Sequence, residues 1–281
     1  MVHPALECND FGEADYYLAY GRGIKTRANP VVPATARFIS VGSASLETRR
    51  VKALSAQPVT ADNILEVLWI SETLYGNTKT QTLMSEDTRR YLLVKRCLKV
   101  LGRASDVRVT YRPTPGPVEQ QAGIIRWLER EKLLGVCVDD HTDLDELLGQ
   151  CDVVVTDRHC NTVWNEAIVF QKPLIVYCDP SQTPLMKHFM SDIDQSCYWC
   201  KTEKELAVAV ERLVSEGSRF VRELSEIDTT SYLEKYVVHR DDGQCIPRVI
   251  SFLNTVCRYN HDVGDWESAV QANTVKASSN A

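Results

Sequence analysis

The residues best suited to chemistry gather in one stretch in the middle of the chain. Cys151-Asp152-Val153-Val154-Val155-Thr156 reads as a buried strand. Asp157-Arg158-His159-Cys160-Asn161 follows as a polar loop, and a helix opens at Thr162. A helix start leaves backbone N–H groups without partners and carries the positive end of the macrodipole, so it suits an anion such as phosphate. Asn161 and Thr162 lie where those amides are free, and Glu166, four residues on, shares a helix face with Thr162. Asp157 suits either a ligand contact or a turn cap, and His159 is a titratable side chain in the same loop. A second candidate is Tyr111-Arg112-Pro113-Thr114-Pro115, where a strand ends on a cation. Arg112 has the planar fork that binds phosphate well, although a strand-end arginine can equally be a solvated charge.

Other groupings carry weaker chemistry. Cys197-Tyr198-Trp199-Cys200 has CxxC spacing, but zinc needs about four ligands and no second pair stands at suitable spacing, so core or surface thiols are the better reading. Asp139-Asp140-His141 with Asp143 and Asp145 resembles a metal cluster without the glycine and final glutamate of a calcium loop, and reads as a solvated, helix-capping run. Gly21-Arg22-Gly23 is too little for a dinucleotide fingerprint.

The elements that must position these residues alternate regularly from about residue 61. Strands are expected at Ile64–Ile70, Val107–Arg112, Gly135–Val138, Val153–Thr156 and Pro173–Tyr177. Helices are expected at Glu86–Leu101, Ile124–Leu134, Asp143–Leu148, Thr162–Phe170, Glu203–Leu213 and Pro247–Tyr259, with Thr142 or Asp143 as the cap of the third. The strands are short, continuous and β-branched, as strands covered on both faces should be. Strand–helix alternation of this kind predicts an α/β fold, a doubly wound parallel sheet with helices on both faces. In such a sheet ligands sit beyond the carboxyl ends of the strands, which selects the loops 71–77, 112–117, 157–162 and 178–184. Upstream, the strands at 14–21 and 37–43 are too few for an independent domain.

Composition narrows the classes. The chain has 281 residues and a formal net charge of −6, which argues against a general nucleic-acid binder. No apolar run approaches the ~20 residues of a membrane span, so no integral membrane segment is expected. The first twelve residues lack a signal-peptide pattern, and the ten cysteines therefore read as free thiols of a cytosolic protein.

The order strand, Asp157, Asn161-Thr162, Glu166-Ala167, Lys172-Pro173, strand resembles the donor-binding half of GT-B glycosyltransferases. The closest likeness is to those of bacterial surface polymers, including CDP-glycerol glycerophosphotransferases. Arg112 and Pro115 fit the same family, in which a histidine is expected where Thr114 stands. Tyr232–Tyr236, Asp241-Asp242-Gly243-Gln244 and Arg248 are similar to its closing segment. The resemblance spans roughly residues 14–257. It implies a Rossmann-like domain, the C-terminal half of a GT-B fold, plus a short remnant of the N-terminal acceptor domain.

It also implies phosphate contacts from Asn161 and Thr162 and hydroxyl contacts from Glu166. Thr114 cannot carry a proton near neutral pH as histidine does, which leaves Arg112 for phosphate. The domains expected are 1–60 as acceptor-domain remnant and linker, 61–259 as the nucleotide-sugar-binding domain, and 260–281 as a flexible tail. The implied partners are a nucleotide-sugar donor, a glycan or lipid-linked acceptor and a separate acceptor-domain chain, without cofactor or metal, in the cytoplasm or at the inner membrane face. A non-catalytic nucleotide- or partner-binding remnant and a sugar-nucleotide epimerase are the alternatives. A shortened acceptor domain would leave apolar surface exposed and favour association.

Overall fold

The computed structural model describes residues 15–24, 36–55, 64–71, 87–113, 118–157, 162–181 and 187–258. Thr114, His159, Asn161 and the expected tail at 260–281 lie outside them. The chain divides into two compact units, one of residues 52–229 and the other of residues 2–51 with 230–281. Residues 230–258 therefore group with the N-terminal segment rather than with the preceding sheet.

The larger unit is a six-stranded parallel sheet. Its strands are β3 (Leu65–Ser71), β4 (Val107–Pro113), β5 (Val136–Val138), β6 (Val153–Thr156), β7 (Leu174–Tyr177) and β8 (Tyr198–Cys200), in the spatial order β5-β4-β3-β6-β7-β8. This is the Rossmann-like arrangement expected: the chain builds outward from β3 to β5, then returns to β6 and builds the other way. β6 and β7 are buried along their whole lengths, which is why their sequences show no polar alternation.

Four helices of this unit are α2 (Asp87–Leu101), α3 (Val118–Glu131), α7 (Glu203–Glu216) and α8 (Ser218–Ser225). Their apolar stripes, among them Val94, Leu98, Leu101, Trp127, Leu206, Leu213 and Phe220, join Val67, Trp69, Val109, Tyr111 and Val155 in one core cluster. On the opposite face run α4 (Leu144–Gln150), α5 (Thr162–Val169) and α6 (Lys187–Ser196), the side that right-handed crossovers require for the return connections.

Several boundaries differ from expectation for local reasons. The helix expected from Ile124 begins at Val118 and ends at Glu131, because Lys132 takes a left-handed φ of +51° and its N–H closes on the Leu128 carbonyl. α5 ends the same way at Gln171 (φ +53°), with Lys172 N–H bonded to Ala167 O at 2.9 Å and Gln171 N–H to Ile168 O at 3.0 Å, a Schellman pattern without glycine. Asp143 caps α4, accepting from Asp145 N–H at 2.8 Å. The CxxC segment forms an edge strand, β8. Cys200 is its last residue, and burial pushes that thiol far up.

The smaller unit holds β1 (Tyr16–Ala19) and β2 (Arg37–Ser40), paired in parallel, with α1 (Ala44–Ser55), α9 (Thr230–Tyr236) and α10 (Cys245–Arg258). Ile39, Val41 and Phe252 form its apolar centre, with Tyr16, Leu18, Val249 and Val256 against them. Gly42 has a φ of +95°, and a Cβ there would meet Val238 O at 2.6 Å, so only glycine fits this turn. Pro247 is tolerated in α10 because it stands in the first turn, where its missing N–H costs nothing.

His239 also holds a left-handed φ, +63°, and its Nδ1 is buried without a hydrogen-bond partner. Burial, then the Arg248 and Arg240 charges, depress its pKa from 6.5 to about 4. The unfolded chain therefore takes up this proton as pH falls through 6.5 while the fold resists until about 4, so the associated stability is present above 6.5 and lost on acidification. Discounted for its partial solvation, the loss is on the order of 1–2 kcal/mol. His239→Asn keeps a side chain that tolerates this backbone and does not titrate. Urea midpoints measured between about pH 7 and 4.5 are expected to fall less in that variant than in the wild type.

Candidate functional site

The sheet order locates a crevice. β3 and β6 are neighbours, and their following connections leave in opposite directions, so the carboxyl ends of this pair form the topological switch point. Three of the candidate residues lie at this end. Arg112 is the penultimate residue of β4, Asp157 follows β6, and Thr162 opens α5. In the sheet register Ile70 of β3 pairs with Arg112 on one side and with Thr156 on the other. Arg112 and Thr156 therefore stand level, two strand spacings or about 10 Å apart.

The faces separate the two charged candidates. Arg112 points to the side of α4 and α5, where its guanidinium donates to the Thr142 carbonyl at 2.5 Å. That carbonyl belongs to a tight turn held by Asp139, which accepts from Thr142 N–H at 2.8 Å, Thr142 Oγ1 at 2.7 Å and His141 N–H at 3.1 Å. These bonds from the Thr142 amide and hydroxyl hold the Asp139 carboxyl below its usual range. The acidic run 139–145 is thus a turn and a helix cap. Among the described residues no group of three or more His, Cys, Asp or Glu is placed to hold a metal.

Asp157 lies on the opposite face, within the core-facing layer. Its carboxylate accepts from Ser71 Oγ at 2.9 Å and stands 4.0 Å from the Arg90 guanidinium of α2, with Asp157 5% and Arg90 3% exposed. Tyr111 completes the group through a hydrogen bond with Ser71, and burial pushes its phenol well above the usual range. This buried Tyr111–Ser71–Asp157–Arg90 network ties the ends of β3, β4 and β6 to the first turn of α2. The contacts of the Asp157 carboxylate are thus with the protein's own side chains, beneath the ends of the strands. Its partners Ser71, Arg90 and Tyr111 do not stand out in the sequence as site residues.

Thr162 is exposed at the start of α5, while Glu166 and Asn165 are half-buried one turn on. The first four amides of an eight-residue helix have no intrahelical acceptor, so α5 presents N–H donors at the crevice. Lys172, of the Lys-Pro pair, has a different task. Its ammonium donates to Cys151 O at 2.8 Å and Gly149 O at 3.4 Å, neutralising the carboxyl end of α4. A groove of about 450 Å³, lined by Lys172, Pro173, Cys197, Leu224 and Asp228 among others, opens at the amino end of β7, away from the switch point.

Comparison with known proteins sets this geometry in a family. The model of the family described as LIC12162 family transferase matches residues 7–196. The chain belongs to this transferase family. Its matched span runs from before β1 to the end of α6 and takes in Arg112, Asp157, Thr162 and Glu166. No curated protein matches the sequence.

Solved structures similar to this family member share its fold at low identity. The UDP-GlcNAc 2-epimerase from Neisseria meningitidis bound to UDP-GlcNAc is 12% identical, with a TM-score of 0.55 over 85% of this chain and 61% of that one. The wall teichoic acid polymerase TagF is 12% identical, with a TM-score of 0.50 over 88% of this chain and 60% of that one. The S. aureus MnaA–UDP structure is 13% identical, with a TM-score of 0.50 over 89% of this chain and 63% of that one. The likeness to these neighbours is one of fold, the Rossmann-like half of a GT-B arrangement. The transferase family member spans about three fifths of the length of each of these neighbours. Among the described residues no helix is long and apolar enough to cross a membrane.

Proposed function

We propose that this transferase family member binds a nucleotide-activated sugar, or CDP-glycerol, in the crevice at the carboxyl ends of β3 and β6, for transfer to a glycan or lipid-linked acceptor of a surface polysaccharide. The single observation that carries the reading is the switch point between β3 and β6, with the amino end of α5 opening onto it. In this reading Thr162, the first-turn amides of α5 and the remaining donors of Arg112 hold the donor's phosphate. Asn161 adds an amide donor, and Glu166 accepts from a ribose or sugar hydroxyl. Thr114 and His159 are assigned as further contacts to the same donor. The phosphate-binding groups meet the charge that grows on the leaving phosphate as its bond to the transferred group breaks. Asp157 keeps the ends of β3 and β6 in register from below. The acceptor's general base would come from a further acceptor-binding domain or a separate chain, and the chemistry is assigned to the cytoplasm or the inner membrane face.

A second reading, a sugar-nucleotide epimerase, is favoured by the Neisseria meningitidis neighbour and its UDP-GlcNAc ligand. Incubation with UDP-GlcNAc and no acceptor separates the two, because only an epimerase converts the sugar unaided.

The donor site is tested by thermal shift with CMP, CDP, UDP and their sugar or glycerol conjugates. A ligand that binds only the folded state at ~100 times its Kd adds about 2.7 kcal/mol and raises Tm by several degrees. The expected result is a shift with one nucleotide class, reduced in Glu166→Ala. Folded protein that responds to none of the panel would sink the assignment.

A further inference from the structure

Gly21-Arg22-Gly23 is too short for a dinucleotide fingerprint, but its place in the smaller unit gives it another meaning. Three connections meet at the carboxyl ends of β1 and β2: residues 20–23 leaving β1, residues 41–43 leaving β2, and residues 237–242 leaving α9. Their approach is close. A Cβ on Gly21 would overlap the Lys235 carbonyl, one on Gly23 the Tyr236 ring, and one on Gly42 the Val238 carbonyl. The glycines let both strand ends lie directly on the end of α9. Arg22 is thereby brought within electrostatic reach of His239, together with Arg240 and Arg248.

The charges at this end do not balance. Asp241 is held by Arg50 at 2.7 Å, and Arg248 takes Asp242 at 2.6 Å and Glu47 at 2.9 Å. Glu234 and Lys235 cancel in formal charge. Arg22 and Arg240 remain. Both are exposed, and neither makes an ion pair or a side-chain hydrogen bond among the described residues. Asp242 also attracts Arg240, but both of its oxygens already accept from Arg248. His239 supplies no negative charge, and its Nδ1 is buried without a hydrogen-bond partner. Arg22, Arg240 and Arg248 thus surround this ring against Asp242 alone, a local positive potential suited to an anion.

The donors select the kind of anion. One guanidinium fork fills both oxygens of a carboxylate, whereas a phosphate has oxygens for two forks. We propose that Arg22 and Arg240 form a phosphate-binding site beside His239, at the carboxyl ends of β1 and β2. The ligand is a phosphate group, carried either by a small soluble compound or by a lipid. The site shares no residue with the crevice of the larger unit, so it stands or falls apart from the donor reading. A bound phosphate also reverses the field on His239 and favours its protonated form, which makes this ring a reporter of occupancy.

The test is a titration of the full chain with inorganic phosphate over ~0.1–30 mM, against chloride at matched ionic strength. NMR of the histidine rings reads it, with the His239 signal identified by its loss in His239→Asn. Phosphate is expected to move that signal saturably and to raise the pH at which the ring titrates. Arg22→Gln with Arg240→Gln is expected to weaken the response at least ~30-fold. Both side chains are exposed, so the fold, followed by circular dichroism, stays unchanged. A second arm separates the sources: sedimentation with phosphatidylcholine vesicles, with and without phosphatidic acid. Saturable binding of free phosphate supports a soluble ligand. Binding only to vesicles that contain phosphatidic acid, lost in the double variant, supports a lipid headgroup. A response that chloride matches overturns the proposal. So does one that survives the double substitution, or a wild type that binds neither free phosphate nor the acidic vesicles.

Discussion

Arg248→Met is expected to lower the stability of the smaller unit by about 3–5 kcal/mol, because it strands two carboxylates and a carbonyl at once. Arg248 is 5% exposed and uses its whole fork. Nε donates to Val41 O at 2.8 Å, Nη1 to both oxygens of Asp242 at 2.6 and 2.9 Å, and Nη2 to Glu47 at 2.9 Å. Glu47 in turn accepts from the Cys245 amide at 2.9 Å, the first residue of α10. One side chain thus joins the turn after β2, helix α1 and the amino end of α10. Burial raises the Glu47 carboxyl above its usual range even with these partners, so this charge depends on them. Asp242 is more solvated: burial opposes its ionisation, but the Arg248 hydrogen bond and the Gln244 amide hold its pKa down. Arg248→Lys keeps the charge but cannot serve all these acceptors from one ammonium, so it recovers only part of the loss. Adding Glu47→Leu to Arg248→Met removes the stranded carboxylate and is expected to restore some stability. Urea unfolding, with hydrogen exchange in α1 and α10 as the local readout, measures all three. A loss below about 1 kcal/mol in Arg248→Met would show that water reaches the cluster and carries the charges.

The same residue illustrates how far the sequence is legible. Arg248 stands out as part of a closing segment similar to GT-B enzymes, but its partners Val41 and Glu47 lie some 200 positions away, and nothing local announces them. The six-stranded sheet is more legible. Five of its strands are short β-branched runs whose pattern needs no tertiary information, whereas β8 is three residues long and hides in a CxxC spacing that invites a chemical reading. Helices α1, α6, α8 and α9 escape the sequence pattern, α1 because its sequence, ASLETRRVKALS, mixes charge with a weak apolar stripe.

In the crevice, Arg112, Thr162 and Glu166 are legible because strand ends and helix starts are local features. Arg90 is harder to find, although it leaves a signal. It lies on the stripe of α2 that continues through Val94, Cys97 and Leu101, all buried. A charge on the apolar stripe of a helix requires a buried partner, and Asp157, just past the fully buried strand β6, supplies a carboxylate. Sequence alone offers Asp157 to a ligand or a turn; its contacts instead aim it into the protein, because the residue after β6 continues the strand's alternation toward α2.

Asp157→Ala therefore leaves the Arg90 charge beneath the sheet ends without this carboxylate, and takes one acceptor from Ser71 Oγ. Removing one member of a buried pair costs about 3–5 kcal/mol, and a lost hydroxyl bond adds about 1 kcal/mol. The effect on the larger unit is expected to be among the largest of any single substitution there. Asp157→Asn retains an oxygen for Ser71 and loses only the charge, so it falls between the wild type and Asp157→Ala. Arg90→Met in the Asp157→Ala background removes the remaining cation, and the double variant is expected to be more stable than Asp157→Ala alone, a coupling that a double-mutant cycle in urea reads directly. If the two losses simply add, the 4.0 Å separation between Arg90 and Asp157 carries no pair energy and the Ser71 bond at 2.9 Å is what holds the carboxylate. If they couple, the ends of β3 and β6 are fixed by a buried charge pair. A fall in nucleotide response in Asp157→Asn then reports the crevice losing its shape rather than a lost contact.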